Sequence, residues 1–122
     1  MNRAGRIVED MAKLIELFAA RCEDRATLNE LAAMAADHKR WTKSHDLFDR
    51  IRGKSLKAGR ARNHSLEVQY LFEEVCAKTL YNLSNSPAPF DADSPYWIVP
   101  NAIALARSLG IPDSAVLAIV AV

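Results

Sequence analysis

Cysteine is nearly missing from this chain of 122 residues: Cys22 and Cys76 are the only two, and neither belongs to a CxxC pair. A disulfide framework is therefore excluded, and a reduced, cytoplasmic setting is the expectation. Glycine is equally scarce, with four in all. The nearest approach to a phosphate-binding loop is Gly53-Lys54-Ser55, but Phe48 stands where that loop needs its first glycine, and no strand precedes it. Long apolar runs are also lacking. Glu9, Asp10 and Glu16 interrupt the first segment, which excludes a signal-peptide core. The most apolar stretch, residues 114–122, is too short to span a bilayer. No segment alternates with period two, no Asn-Gly hairpin turn occurs, and no internal repeat is visible. Export, membrane insertion and β-architecture are thus set aside.

Catalytic and metal-binding groupings are missing too. His38 and His45 stand seven residues apart, about 10 Å along a helix, with no nearby cysteine or carboxylate to complete a zinc set. His45 and Asp49 have the spacing of a helical surface pair. Cys76 falls within an apolar stripe and reads as an inert buried thiol, and Glu23 and Asp24 beside Cys22 oppose a thiolate there. No Ser-His-Asp or paired-carboxylate pattern emerges. The expectation is a non-enzymatic protein with no cofactor and no metal.

What is present is helical periodicity. Ile7, Met11, Leu14, Ile15, Phe18 and Cys22 recur at three-and-four spacing, opposite Arg3, Arg6, Glu9, Lys13 and Glu16. Thr27-Leu28-Asn29-Glu30 has the pattern of a capping box and predicts a second helix from Thr27 to about Asp37. Whether that helix breaks between His38 and Ser44 stays open at this stage. Gly53 reads as a helix stop, and a long central helix is expected from about Leu56 to Leu83, apolar on more than one side. Residues 85–89, Asn-Ser-Pro-Ala-Pro, break the chain. Asp93 or Ser94 can cap a following helix with Pro95 at its first position, and Pro100 either kinks that helix or starts another. Gly110 closes it, and residues 112–114 open a last short helix. The fold class is all-α: one domain, residues 1–122, in an irregular bundle of five to seven helices.

Net charge is near neutral but unevenly spread. Residues 39–62 carry +7 and the remainder −6. Arg50, Arg52, Lys54, Lys57, Arg60 and Arg62 are candidates for phosphate neutralisation, an alternative in which the protein associates with nucleic acid. The segment has no interleaved aromatics for base stacking, so a solvated helix face is the simpler reading. The apolar end after Asp113 packs in the core or forms a homodimer contact.

The sharpest local feature is residues 91–100, Asp-Ala-Asp-Ser-Pro-Tyr-Trp-Ile-Val-Pro. Acids beside an aromatic make a surface suited to a basic protein partner. Trp97 reads as a core plug, whereas Tyr96, Asp91 and Asp93 are candidates for exposure. The C-terminal half resembles a group of small bacterial helical proteins. Asp93, Ser94, Pro95, Ile98 and Val99 resemble the Asp-Ser-Pro turn of the colicin-type nuclease immunity proteins over about twenty residues. The chain departs from that family in lacking a Tyr-Tyr pair and in carrying Tyr96-Trp97 where small residues stand. The resemblance implies a protein that binds and neutralises a basic bacterial toxin, with Tyr81, Asp91, Asp93 and Tyr96 at the contact.

Overall fold

The computed structural model describes residues 3–85 and 98–120, with side chains from Gly5. Asp91, Asp93, Tyr96 and Trp97, with the expected caps at 93–95, lie outside the described residues. Among the described residues the fold is all-α, with six α-helices, a single 3-10 helix and no strand. The helices are α1 (Arg3–Ala19), α2 (Arg25–Ala35), α3 (Ser44–Arg60), α4 (His64–Asn85), α5 (Ile98–Ser108) and α6 (Asp113–Val120), with the 3-10 helix His38–Lys43 between α2 and α3.

The stripe on α1 buries as its spacing predicts: Ile7, Met11, Leu14, Ile15 and Phe18 are all in the core. Phe18 stacks on Phe72 with ring centroids 3.8 Å apart, which ties α1 to α4. The helix ends before Cys22, which sits half-buried in the link to α2. The second helix is two residues longer at its start than the capping-box pattern predicts. Its N-cap is Asp24, whose carboxylate accepts the Thr27 N–H at 3.3 Å, and Thr27 lies buried inside the first turn. Glu30 does not reach back to a cap; it forms an ion pair with Arg50 of α3.

The chain does break after α2. Asp37 caps the 3-10 turn by accepting the Lys39 N–H at 3.2 Å, and Trp41 buries there, donating its ring N–H to the Ala35 carbonyl at 3.2 Å. Gly53 does not stop a helix, because α3 runs through it to Arg60. The stop lies nine residues further on. Arg62 adopts φ +58°, the Arg62 N–H reaches the Gly59 carbonyl at 3.1 Å, and the Asn63 N–H reaches the Ala58 carbonyl at 3.0 Å. This is the paired hydrogen-bond pattern of a Schellman motif, here with an arginine in the position that glycine usually takes. Asn63 then caps α4, its side-chain oxygen accepting the Leu66 N–H at 3.2 Å. One expected helix is therefore two, folded back on each other in the most extensive packing of the molecule.

The expectation of a central helix covered on several sides holds for α4. Eleven of its residues are buried, including Val68, Tyr70, Phe72, Cys76, Leu80 and Leu83. Pro100 lies in α5, two residues after its first described position, and the residues 91–97 that decide between a kink and a new helix start lie outside the described residues. The predicted end of that helix is also as read. Gly110 has φ +76°, and the Ile111 N–H reaches the Ala106 carbonyl at 2.9 Å while Ile111 itself buries. The Arg107 guanidinium grips Asp113 through two bonds of 2.9 and 2.6 Å, which sets α6 against α5. Val116 docks α6 into the core and Leu117 stays exposed.

Gly53 sits mid-helix with open space where a Cβ would stand. Gly53→Ala should therefore raise the stability of the fold by about 0.5–1 kcal/mol, because it removes the backbone entropy of a helical glycine at no steric cost. A urea titration monitored by circular dichroism checks this, and a lower midpoint would place a helix boundary at Gly53 after all.

Candidate functional site

Two features are built with more care than packing requires. The first is a buried polar clasp between α2 and α4. Every group in it comes from the first turn of α2 or from one face of α4. The Gln69 side-chain amide pairs with the backbone of Asp24 in both directions: its oxygen accepts the Asp24 N–H at 3.1 Å, and its nitrogen donates to the Asp24 carbonyl at 2.7 Å. The Tyr70 hydroxyl donates to the Asp24 carboxylate at 2.6 Å. The Thr27 hydroxyl lies 3.0 Å from Glu73 Oε2 and 3.3 Å from the Asp24 carbonyl, and Gln69 Nε2 lies 2.8 Å from the same Glu73 oxygen. Gln69 and Glu73 are wholly buried, and Glu73 Oε1 meets no donor.

The electrostatics follow from that geometry. The Tyr70 hydrogen bond, with the Thr27 amide, holds the Asp24 carboxyl below its ordinary value. Burial, and then the bond to Asp24, pushes the Tyr70 phenol up. Burial pushes the Glu73 carboxyl up to about 7 against the bonds from Gln69 and Thr27. The Cys22 thiol is pushed up to about 11 by burial and by Glu73, and burial raises the Cys76 thiol as well. Neither thiol is a thiolate at neutral pH.

The second feature is an open groove of about 430 Å³ where α3, α4 and α5 meet. Its α3 wall carries Phe48, Arg52, Ser55 and Leu56, and α4 contributes Leu71, Glu74 and Val75, with Leu105 across from α5. Leu56 is 56 % exposed and Leu71 39 %; among the described residues the only other exposed large apolar side chain is Leu117. Glu74 is nearly buried in this wall. Burial raises its carboxyl, opposed by the Ser55 hydroxyl and the Arg52 guanidinium. The groove thus joins five apolar residues to the polar groups of Arg52, Ser55, Glu74 and Asn101.

The residues singled out from the sequence are distributed differently. Tyr81 is half-buried on α4. Its ring meets His45 edge-on at 4.9 Å, and the Lys78 ammonium lies 5.3 Å from its centroid. Asp91, Asp93 and Tyr96 lie outside the described residues, so the structure joins none of them to Tyr81. The six basic candidates do not form one surface. Arg50, Lys54 and Lys57 fall on one helical stripe of α3, and Arg52 points the other way into the groove. Lys54 and Lys57 instead flank a smaller cleft of about 260 Å³ with Asn63, Leu66 and Tyr70. Arg50 is committed to Glu30. The expected His45–Asp49 pair is present at 3.4 Å. Among the described residues no three His, Cys, Asp or Glu side chains are placed to hold a metal, and no helix is long and apolar enough to cross a membrane.

Reading the sequence missed the groove and the clasp. Leu71 could have been found, since it lies off the main stripe of α4. Leu56 was hidden by the misplaced helix boundary. Glu73 precedes Glu74, and two adjacent acids read as a solvated pair. No protein-family model, curated protein or solved structure matches the chain.

Gln69→Leu keeps the volume near constant but strands the Asp24 N–H and takes the nearer donor from the Asp24 carbonyl and a donor from Glu73. It should cost roughly 2–4 kcal/mol, since each buried polar group left unpaired costs about 1–3 kcal/mol. Chemical denaturation measures this; a loss below about 1 kcal/mol would mean that water satisfies the Asp24 backbone in the variant.

Proposed function

We propose that this protein is a non-enzymatic protein-binding module whose contact surface is the groove between α3, α4 and α5. The observation that carries this reading is the convergence of Leu56 and Leu71 on one concave wall. Exposed apolar residues scattered singly need no explanation, but two that line the same groove make a patch that water does not favour. The occupant best suited is an amphipathic helix of a protein partner. It would seat two or three apolar side chains against Leu56, Leu71 and Leu105 and set a carboxylate against Arg52. The finer version is an immunity-type role, in which the partner is a bacterial toxin neutralised by direct binding. It draws on the acid-aromatic residues Asp91, Asp93 and Tyr96 and on Tyr81, a second contact to a basic surface.

Nucleic-acid association is the second reading, supported by the stripe of Arg50, Lys54 and Lys57 with Arg60 and Arg62 near the end of α3. Its weakness is physical: Arg50 is neutralised by Glu30 and Arg52 faces elsewhere. Along the chain no aromatic residue stands between the basic positions.

A Leu56→Glu, Leu71→Glu double variant tests the groove. Both side chains are exposed, so the variant should fold with less than about 1 kcal/mol lost. Affinity capture from nuclease-treated host lysate should retain a stoichiometric protein with the parent chain and lose it with the variant. Retention by both would remove the groove from the reading, and loss only with an Asp91→Ala, Asp93→Ala, Tyr96→Ala variant would move the contact to the turn. Material captured from untreated lysate that disappears on nuclease treatment, with a steep salt dependence, would favour the basic stripe.

A further inference from the structure

We infer that the α2–α4 clasp is a proton-dependent latch: the folded chain holds a proton on Glu73, and its loss loosens the attachment of the α2 N-terminus to α4. The inference stands on the enclosure of Glu73, which is wholly buried with Oε1 meeting no donor, and on the donor geometry around Oε2. Thr27 has a single hydroxyl proton, yet its oxygen lies within reach of both Glu73 Oε2 and the Asp24 carbonyl. A protonated Glu73 resolves this. Its Oε2–H donates to Thr27 Oγ1, the Thr27 hydroxyl donates to the Asp24 carbonyl, and Gln69 Nε2 donates to Glu73 Oε2. All three contacts are then used, and the buried Oε1 is a neutral carbonyl oxygen, the cheapest group to leave without a donor.

Ionised, the same carboxylate has a full charge in the core, and Oε1 still meets no donor. Thr27 must then turn its proton to Glu73, and the Asp24 carbonyl keeps Gln69 Nε2 alone, so the bonds between α2 and α4 persist and it is the enclosed charge that favours opening the clasp to water. The charged and titratable groups around Glu73 do not rescue it. Asp24 from the start of α2 is an anion and repels it, and Lys54 from α3 supplies only a weaker attraction. Cys22 before α2 and Cys76 and Tyr70 on α4 are neutral in this range, all three being shifted upward.

The pH window follows from the direction of the shift. The folded-state carboxyl is raised from an ordinary 4.5 to about 7. Its stabilising protonation is complete below about 4.5, where the unfolded chain is protonated too. It declines as pH rises through the interval and is gone above about 7, where both states are ionised. Glu74 and Asp10 are also raised and slope the same way, and Asp24 and Glu30 are lowered and act only in acid. All of these remain in a Glu73→Gln variant, so the difference between the two proteins isolates Glu73.

Amide hydrogen exchange at Asp24, whose N–H is held by Gln69, reads the latch directly. After correction for intrinsic rates, protection at Asp24 in the parent chain should fall by up to roughly 300-fold between pH 4 and pH 8, ten raised to the difference between about 7 and 4.5. Glu73→Gln should flatten that dependence. Equal pH dependence in both proteins would overturn the latch. Should the variant fail to fold, carbon-13 spectra of glutamate-labelled parent chain decide instead. One side-chain carboxyl titrating near 7 is expected, and titration of every glutamate near 4.5 would overturn the inference.

Discussion

The position of α2 depends on a single side-chain amide. A helix N-terminus exposes unsatisfied N–H groups, and the residue before it is normally left to water or to its own cap. Here Gln69, one turn and a half into α4, takes both the N–H and the carbonyl of the capping residue Asp24. With the backbone of Asp24 fixed, its carboxylate is free to cap Thr27 with one oxygen and to accept from Tyr70 with the other. The exit of α1, the start of α2 and the wall of α4 therefore meet at one residue. The Phe18–Phe72 stack lies one helical step away on α4, so polar and apolar ties between the same layers reinforce each other.

That arrangement explains where the sequence was legible and where it was not. The apolar stripe of α1 and the Gly110 stop were readable because each is decided locally: a stripe needs only its own helix, and a left-handed residue needs only glycine. The capping box failed because both of its members had a better partner elsewhere. Thr27 turns inward to Glu73 and Glu30 turns outward to Arg50. Gly53 failed for a related reason. Glycine marks a stop only if the chain needs a left-handed residue there, and the residue that adopts that conformation is Arg62. A long-range hydrogen bond is invisible to periodicity, and so is the pairing of two helices whose joint is an arginine.

The candidate groove shows the same limit from another side. Leu56, Leu71 and Leu105 are far apart in sequence and belong to three helices. Only the fold-back of α3 on α4, and the seating of α5 across them, makes one surface of them. The same fold-back divides the basic segment, which reads as one charge run along the chain. On a helix, residues 50, 54 and 57 share a face and residue 52 does not. A run of charge is thereby converted into a modest stripe on one side and a single rim cation on the other.

The choice of glutamate at position 73 needs its own account. A side chain wholly enclosed by Thr27, Gln69 and apolar neighbours would be most stable as glutamine or as a hydrocarbon of similar size, because neither carries an ionisable group into the core. Glutamate there gives up stability over the range in which its proton is lost. The neighbouring Glu74 is also raised by burial, but it lies at the groove with Arg52 and Ser55 to offset that shift. Two consecutive acids on α4 thus serve two different surfaces: one closes the clasp behind the helix, and the other lines the groove in front of it.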